Sequence, residues 1–206
     1  MIFKYILNKL STLKIIIFYC FIFSLCADSK VSSKEFSLGS TKAENILVEY
    51  ASLSCVHCAN FHNEVLPKIK TKFIDTGKLR YIYKDFPLDK PAMFAAMIAH
   101  CYSDNQYFEV LSSLYRNQKA WVTASDNTEK FYDAIHGILK IHGISLQKIN
   151  QCVDDKNKTN QKTWDDILAA RLEGQNIGVK STPSFFLNGK RIEEAISIEL
   201  LEKLIQ

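Results

Sequence analysis

An α/β fold whose sheet is interrupted by a long helical insertion is predicted by three features of the sequence. An apolar run, Ile46 to Ala51, ends in a short polar turn and gives way to a helical spacing of Phe61, Val65 and Ile69, which reads as strand, turn, helix. Two further extended stretches follow, LRYIYK at Leu79 to Lys84 and STPSFFLN at Ser181 to Asn188. Between them, from Pro91 to Val179, apolar residues recur at three- and four-residue spacing. A helical block lying between two strands cannot be part of the sheet, so it is expected to pack as a cap over or beside it.

Each element has a local reason. Lys4, Lys9 and Lys14 precede an apolar run from Ile15 to Cys26. That run is short for a membrane span, which needs roughly 20 residues, and suits the core of a signal peptide over residues 1–27. Cleavage is expected near Cys26 or Ala27, with an uncleaved anchor as the alternative. Leu25 stands where a lipid-attachment signal would want a small residue. Residues 28–41 read as a polar tether with a first short strand around Glu35 to Leu38. After the central strand, the helix is expected to reach about Thr76, kinked at Pro67 and ended by Gly77. Asp85 to Pro91 is a connection. Helices are expected over Ala92 to Tyr102, Tyr107 to Asn117, Glu129 to His142, Leu146 to Val153 and Lys162 to Asn176. Gly189 turns the last hairpin toward Lys190 to Ile192, and Ile196 to Ile205 closes the chain as a helix.

The 206 residues fit one domain of ordinary size, or a domain with an insertion, and 47% hydrophobic residues suffice for a core. Net charge is +4, and setting aside Lys4, Lys9 and Lys14 leaves +1, which gives nucleic-acid binding no support.

Chemistry concentrates at the end of the central strand. Cys55 and Cys58 fall on the first helical turn, where unpaired backbone N–H groups and the helix dipole favour a thiolate. Two sulfurs at that spacing can close into a disulfide and reopen by exchange with another protein's thiols. The same spacing makes half of a zinc site, but no second CxxC or HxxxH completes one, although His57 and His62 could supply nitrogen. Metal binding is therefore the minor reading. Glu49, six residues before Cys55 in an apolar strand, reads either as an edge-strand carboxylate facing water or as a buried proton relay beneath the sulfurs. A Thr182–Pro183 bond at a strand start is a candidate for the cis isomer. Trp121 and Trp164 read as core, and His100, His136 and His142 as structural.

Three segments in order, VEYASLSCVHCANFHNEVLPKI, RYIYKDFPLD and GVKSTPSFFLNG, resemble the DsbA-like branch of the thioredoxin superfamily over about Ser37 to Gln206. The resemblance implies a thioredoxin-like fold in two parts, 42–90 and 179–206, around an inserted helical domain at 91–178. It implies that Cys55 is the exposed nucleophile, Cys58 the resolving cysteine, Glu49 the acidic residue behind them and Pro183 a cis-proline facing the disulfide. Val56 replaces the proline common at that position, while His57 keeps the position credited with stabilising the thiolate. Thr182 differs from the valine of the best-known members and appears in related isomerases. No cofactor is implied. The implied partners are reduced, unfolded exported proteins and a membrane DsbB-like, quinone-linked oxidoreductase, with the chain acting as a monomer.

With Cys20 and Cys26 in the signal segment, four cysteines remain. The CxxC spacing selects one of three pairings, leaving Cys101 with Cys152 as a structural bridge unless both are buried free thiols. Export would place the chain in an oxidising compartment, where disulfides persist. The expected function is dithiol oxidation in the periplasm or outside the cell. The alternatives are a reductase or isomerase, and a metal-binding or chaperone module.

Overall fold

The computed structural model describes residues 35–205, apart from the side chains of residues 104 and 105. The expected signal segment lies outside the described residues. Five strands form one sheet in the order β1-β3-β2-β4-β5, where β1 is Phe36–Leu38, β2 Asn45–Ala51, β3 Leu79–Asp85, β4 Ser184–Leu187 and β5 Lys190–Ile192. β2 runs parallel to β3, and the remaining pairs are antiparallel. β2 is therefore central, with Glu49 opposite Tyr83 on one side and Phe185 on the other.

Alternation along β2 sends Leu47, Glu49 and Ala51 to one face and Val48 and Tyr50 to the other. Leu47 and Ala51 join the larger core, while Tyr50 packs with Phe86, Val179 and Phe186 beneath the opposite face. Glu49 is fully buried, so the edge-strand reading gives way: the carboxylate sits mid-sheet rather than at a wet margin.

The helix after β2 is not uniformly wound. α1 (Val56–Asn60) runs into a π-helical turn at Phe61–Val65, then α2 (Leu66–Ile69), then a second π turn at Lys70–Ile74. Pro67 has no N–H to give the ladder, which is a standard origin of such irregularity. The first π turn brings the adjacent residues Phe61 and His62 both into the interior. Gly77, at φ 75°, supplies the left-handed turn that stops the helix.

Seven further helices complete the described residues: α3 (Lys90–His100), α4 (Asp104–Arg116), α5 (Gln118–Thr123), α6 (Thr128–Leu139), α7 (Leu146–Cys152), α8 (Lys158–Asn176) and α9 (Ile198–Leu204). Five of these starts are capped by side chains that accept from orphan N–H groups: Asp89 from Ala92, Asn127 from Lys130, Ser145 from Lys148, Asn157 from Thr159 and Ser197 from Leu200. The caps explain several shifts from the sequence expectation. α3 takes in Lys90 and Pro91, since proline is at ease in a first helical turn, and α8 begins four residues earlier because Asn157 caps it. β4 starts after Pro183 rather than at Ser181. α6 ends at Leu139 and a short 3-10 turn, Lys140–His142, finishes the stretch expected as one helix.

The insertion does not build a core of its own. Trp121, Leu111, Leu114, Ile135 and Ile149 belong to the same buried cluster as Leu47, Ala51, Tyr81 and Tyr83 of the sheet. Trp121 is wholly buried and donates through Nε1 to Leu114 O at 2.9 Å. On the other face α8 lies so close to β2 that a Cβ on Gly174 would come within 2.8 Å of Tyr50 Cδ1. Cys101, just after α3, is bonded to Cys152 at the end of α7, with their Cα atoms 5.7 Å apart.

Candidate active site

β2 ends at Ala51 and the chain turns through Ser52, whose carbonyl accepts from Cys55 N at 3.0 Å. Ser52 Oγ accepts from Leu88 N at 3.2 Å, tying this turn to the loop after β3. Cys55 caps α1 and Cys58 lies on its first turn; both are thiols. α5, which the sequence did not reveal, reaches the same loop: Gln118 Nε2 donates to Leu53 O at 2.7 Å and to Cys55 O at 2.9 Å. From the other side, the loop before β4 brings the cis Thr182–Pro183 bond, and the Cys55 thiol donates to Thr182 O at 3.2 Å.

The two thiols have opposite environments. The pKa of Cys55 is lowered from 9.0 to about 5. The largest cause is the hydrogen bond from the Cys58 thiol; Thr182 and the N–H groups of Cys58 and His57 add to it, against the opposing effect of burial. The Thr182 hydroxyl has no other partner and is free to donate once the sulfur ionises. Cys58 is pushed far upward, first by burial, then by its bond to Cys55 and by the charge of Glu49.

Two expectations need correction. Cys55 is mostly covered, exposing 8% of its surface, because Thr182 and α5 close around it; the exposed members of the motif are Val56, at 60%, and His57. The His57 side chain is exposed, and His57 reaches the sulfur through its backbone N–H. His62, considered from sequence only as a possible metal ligand, is instead buried against Glu49, with Nε2 3.0 Å from Oε2. Tyr81 donates its hydroxyl to the same oxygen, leaving Glu49 Oε1 without a partner. His62 lies one helical turn beyond Cys58, an i, i+4 relation that a reading of CxxC as CxxCxxxH would have found. Among the described residues no cluster of three or more His, Cys, Asp or Glu could hold a metal.

The family model described as "Thioredoxin" matches residues 31–206. The chain belongs to the thioredoxin family. Within it, the chain is DsbA-like. A solved structure of Wolbachia pipientis alpha-DsbA1 is 32% identical, with a TM-score of 0.70 over 84% of this chain and 89% of that one. A Rickettsia prowazekii protein named "Putative protein-disulfide oxidoreductase" is 30% identical over 182 residues, which is 85% of this chain and 62% of that protein. A Bacillus cereus protein named "Probable disulfide bond formation protein D" is 26% identical, over 76% of this chain and 71% of that one. This chain spans about 60% of the length of the rickettsial relatives it matches. No described helix of this DsbA-like chain is long and apolar enough to cross a membrane.

Proposed function

We propose that this DsbA-like chain is an exported protein thiol:disulfide oxidoreductase working as a dithiol oxidase, with Cys55 and Cys58 as its redox pair. The carrying observation is the opposed acidity of the two thiols, Cys55 low and Cys58 high. A substrate thiolate attacks the Cys55 sulfur of the oxidised protein, forming a mixed disulfide and releasing Cys58 as a thiolate. Cys58 takes up a proton at once, because its buried site disfavours charge. A second thiolate of the substrate then attacks the substrate sulfur, closing the substrate disulfide and releasing Cys55. Its low pKa makes Cys55 a good leaving group and holds the reduced protein as a stabilised thiolate. Glu49 acts as the proton relay for Cys58, and Thr182 and Pro183 flank the sulfur on the side where a substrate peptide would lie.

The lysine-then-apolar leader supports export, and the Cys101–Cys152 bridge suits an oxidising compartment. Reduced, unfolded exported proteins are the proposed substrates, and a membrane DsbB-like, quinone-linked protein the proposed re-oxidant. Equilibrating the Cys55/Cys58 pair across a glutathione series tests the direction. A potential around −120 mV supports the oxidase, whereas one around −270 mV would move the assignment to a reductase. Cys55→Ser should abolish exchange and Cys58→Ser should trap mixed disulfides; full activity in either refutes the pair.

A further inference from the structure

Cys58 must gain or lose a proton each time the pair cycles, and it does so from a site with no exposed surface. Glu49 is equally buried. In the mixed disulfide the substrate sits on Cys55, covering the face through which water would otherwise approach. A proton bound for Cys58 therefore needs another way in.

The buried network has one. His62 is 7% exposed, touches Glu49 on its inner side and lines a groove of about 380 Å³ on its outer side. That groove lies between α2, α4 and the end of β1, with Leu66, Phe108 and Ile141 among its walls. It shares no residue with the groove lined by His57 and Pro183, beside the thiols. The imidazole is held in a fixed plane, stacked on Tyr115 at 4.1 Å between ring centres. Tyr115 is in turn fixed by a 2.9 Å hydrogen bond between its hydroxyl and that of Tyr83. The π turn at Phe61–Val65 is what points the ring inward, and such turns recur at functional sites.

We propose that His62 carries protons between Glu49 and the solvent of this groove, so that Cys58 is served through a groove separate from the one beside the thiols. The inference rests on the reading of Glu49 as the relay for Cys58. In the resolving step, the proton of the Cys58 thiol passes to Glu49, and the Cys58 thiolate attacks Cys55 Sγ. The new sulfur–sulfur bond expels the other thiolate, and the carboxyl hands its proton to His62 and so to water. No electrons pass through the imidazole. The titratable groups facing His62 are Glu49 from β2, Tyr81 and Tyr83 from β3, and Tyr115 from α4. Lys70, Glu109, Arg116 and His142 complete the charged groups of the groove.

The reaction of the reduced protein with Ellman's reagent separates the steps, because Cys55 releases the first thionitrobenzoate and Cys58 the second; the bonded Cys101 and Cys152 stay silent. The variants are His62→Phe, which keeps the bulk, and His62→Gln, which keeps a hydrogen bond to Glu49 but cannot shuttle a proton at neutral pH. Both should leave the first release within about twofold, slow the second by about tenfold or more, and flatten its dependence on pH, since proton transfer by a placed side chain contributes about 10²–10⁴. Second release at the parental rate and pH profile in both variants, with Glu49→Gln slowed, would overturn the role of His62 and leave Glu49 standing. Glu49→Gln at the parental rate would overturn the relay beneath it as well. Slowing in His62→Phe alone would reduce His62 to a hydrogen-bond partner and overturn proton carriage.

Discussion

The acidity of Cys55 depends most on one neighbour, and that dependence can be measured. Its pKa of about 5 lies well below the ordinary 9.0, with the Cys58 thiol as the largest cause. A hydrogen bond to a charged group contributes about 1.5–3 kcal/mol. At about 1.4 kcal/mol per pKa unit, losing that donor should raise the pKa by about 1–2 units, to about 6–7. Cys58→Ala removes the donor, whereas Cys58→Ser replaces S–H with O–H and should keep the value within about half a unit of the parent. The ultraviolet absorbance of the thiolate, followed across pH in each reduced variant, reads both values directly. His57→Ala is the internal control, because the imidazole is exposed and only the backbone N–H reaches the sulfur; it should leave the titration nearly unmoved. Equal titrations in the Ala and Ser variants would refute the assignment of Cys58 as the main stabiliser. A large rise in His57→Ala would return that role to the imidazole.

Three further outcomes are expected. Because the folded pKa of Cys55 lies below its unfolded value, ionisation stabilises the reduced protein above that range, by about 3 kcal/mol at pH 7; the advantage falls by about 1.4 kcal/mol per unit toward pH 5 and levels off below it. Urea unfolding of the reduced and oxidised forms from pH 7 to pH 4 checks this, and a gap between them that does not change with pH would contradict it. Replacing Cys101 and Cys152 by alanine together opens a loop with a sequence separation of 51 and should cost about 4 kcal/mol, seen as a lower urea midpoint with the glutathione equilibrium still measurable. Gly174→Ala would press a methyl group into Tyr50 and Phe86 and should destabilise by about 1–3 kcal/mol, detectable as a lowered melting temperature.

What the sequence made legible is what short-range pattern controls. β2, the turn at Ser52 and the helix after Cys55 follow from alternation giving way to helical spacing, and the helix starts sit near capping residues such as Asp89 and Ser197. The burial of Glu49 was not decidable locally, since its alternation fits an edge strand as well; it follows from β4, more than a hundred residues later, pairing on the second side of β2. α5 escaped because six residues carry too little periodicity, and its contribution to the site is one glutamine reaching back to Leu53 and Cys55. The π winding that buries His62 beside Phe61 leaves no mark in a pattern read at ordinary helical spacing. The cover over Cys55 is likewise a meeting of distant segments, which no local reading supplies.

That meeting has a consequence for the order in which the protein acquires its chemistry. Thr182 follows Cys55 by 127 positions, and Gln118 by 63. A chain emerging from a ribosome therefore presents Cys55 and Cys58 long before the partners that cover them exist. During that interval the two lack this cover and are free to pair with Cys101 as it emerges. The cover is completed only when β4 docks beside β2 and carries Thr182 to the sulfur. A truncated or stalled product would hold the motif intact and yet lack the cover that β4 and the loop before it bring to the sulfur.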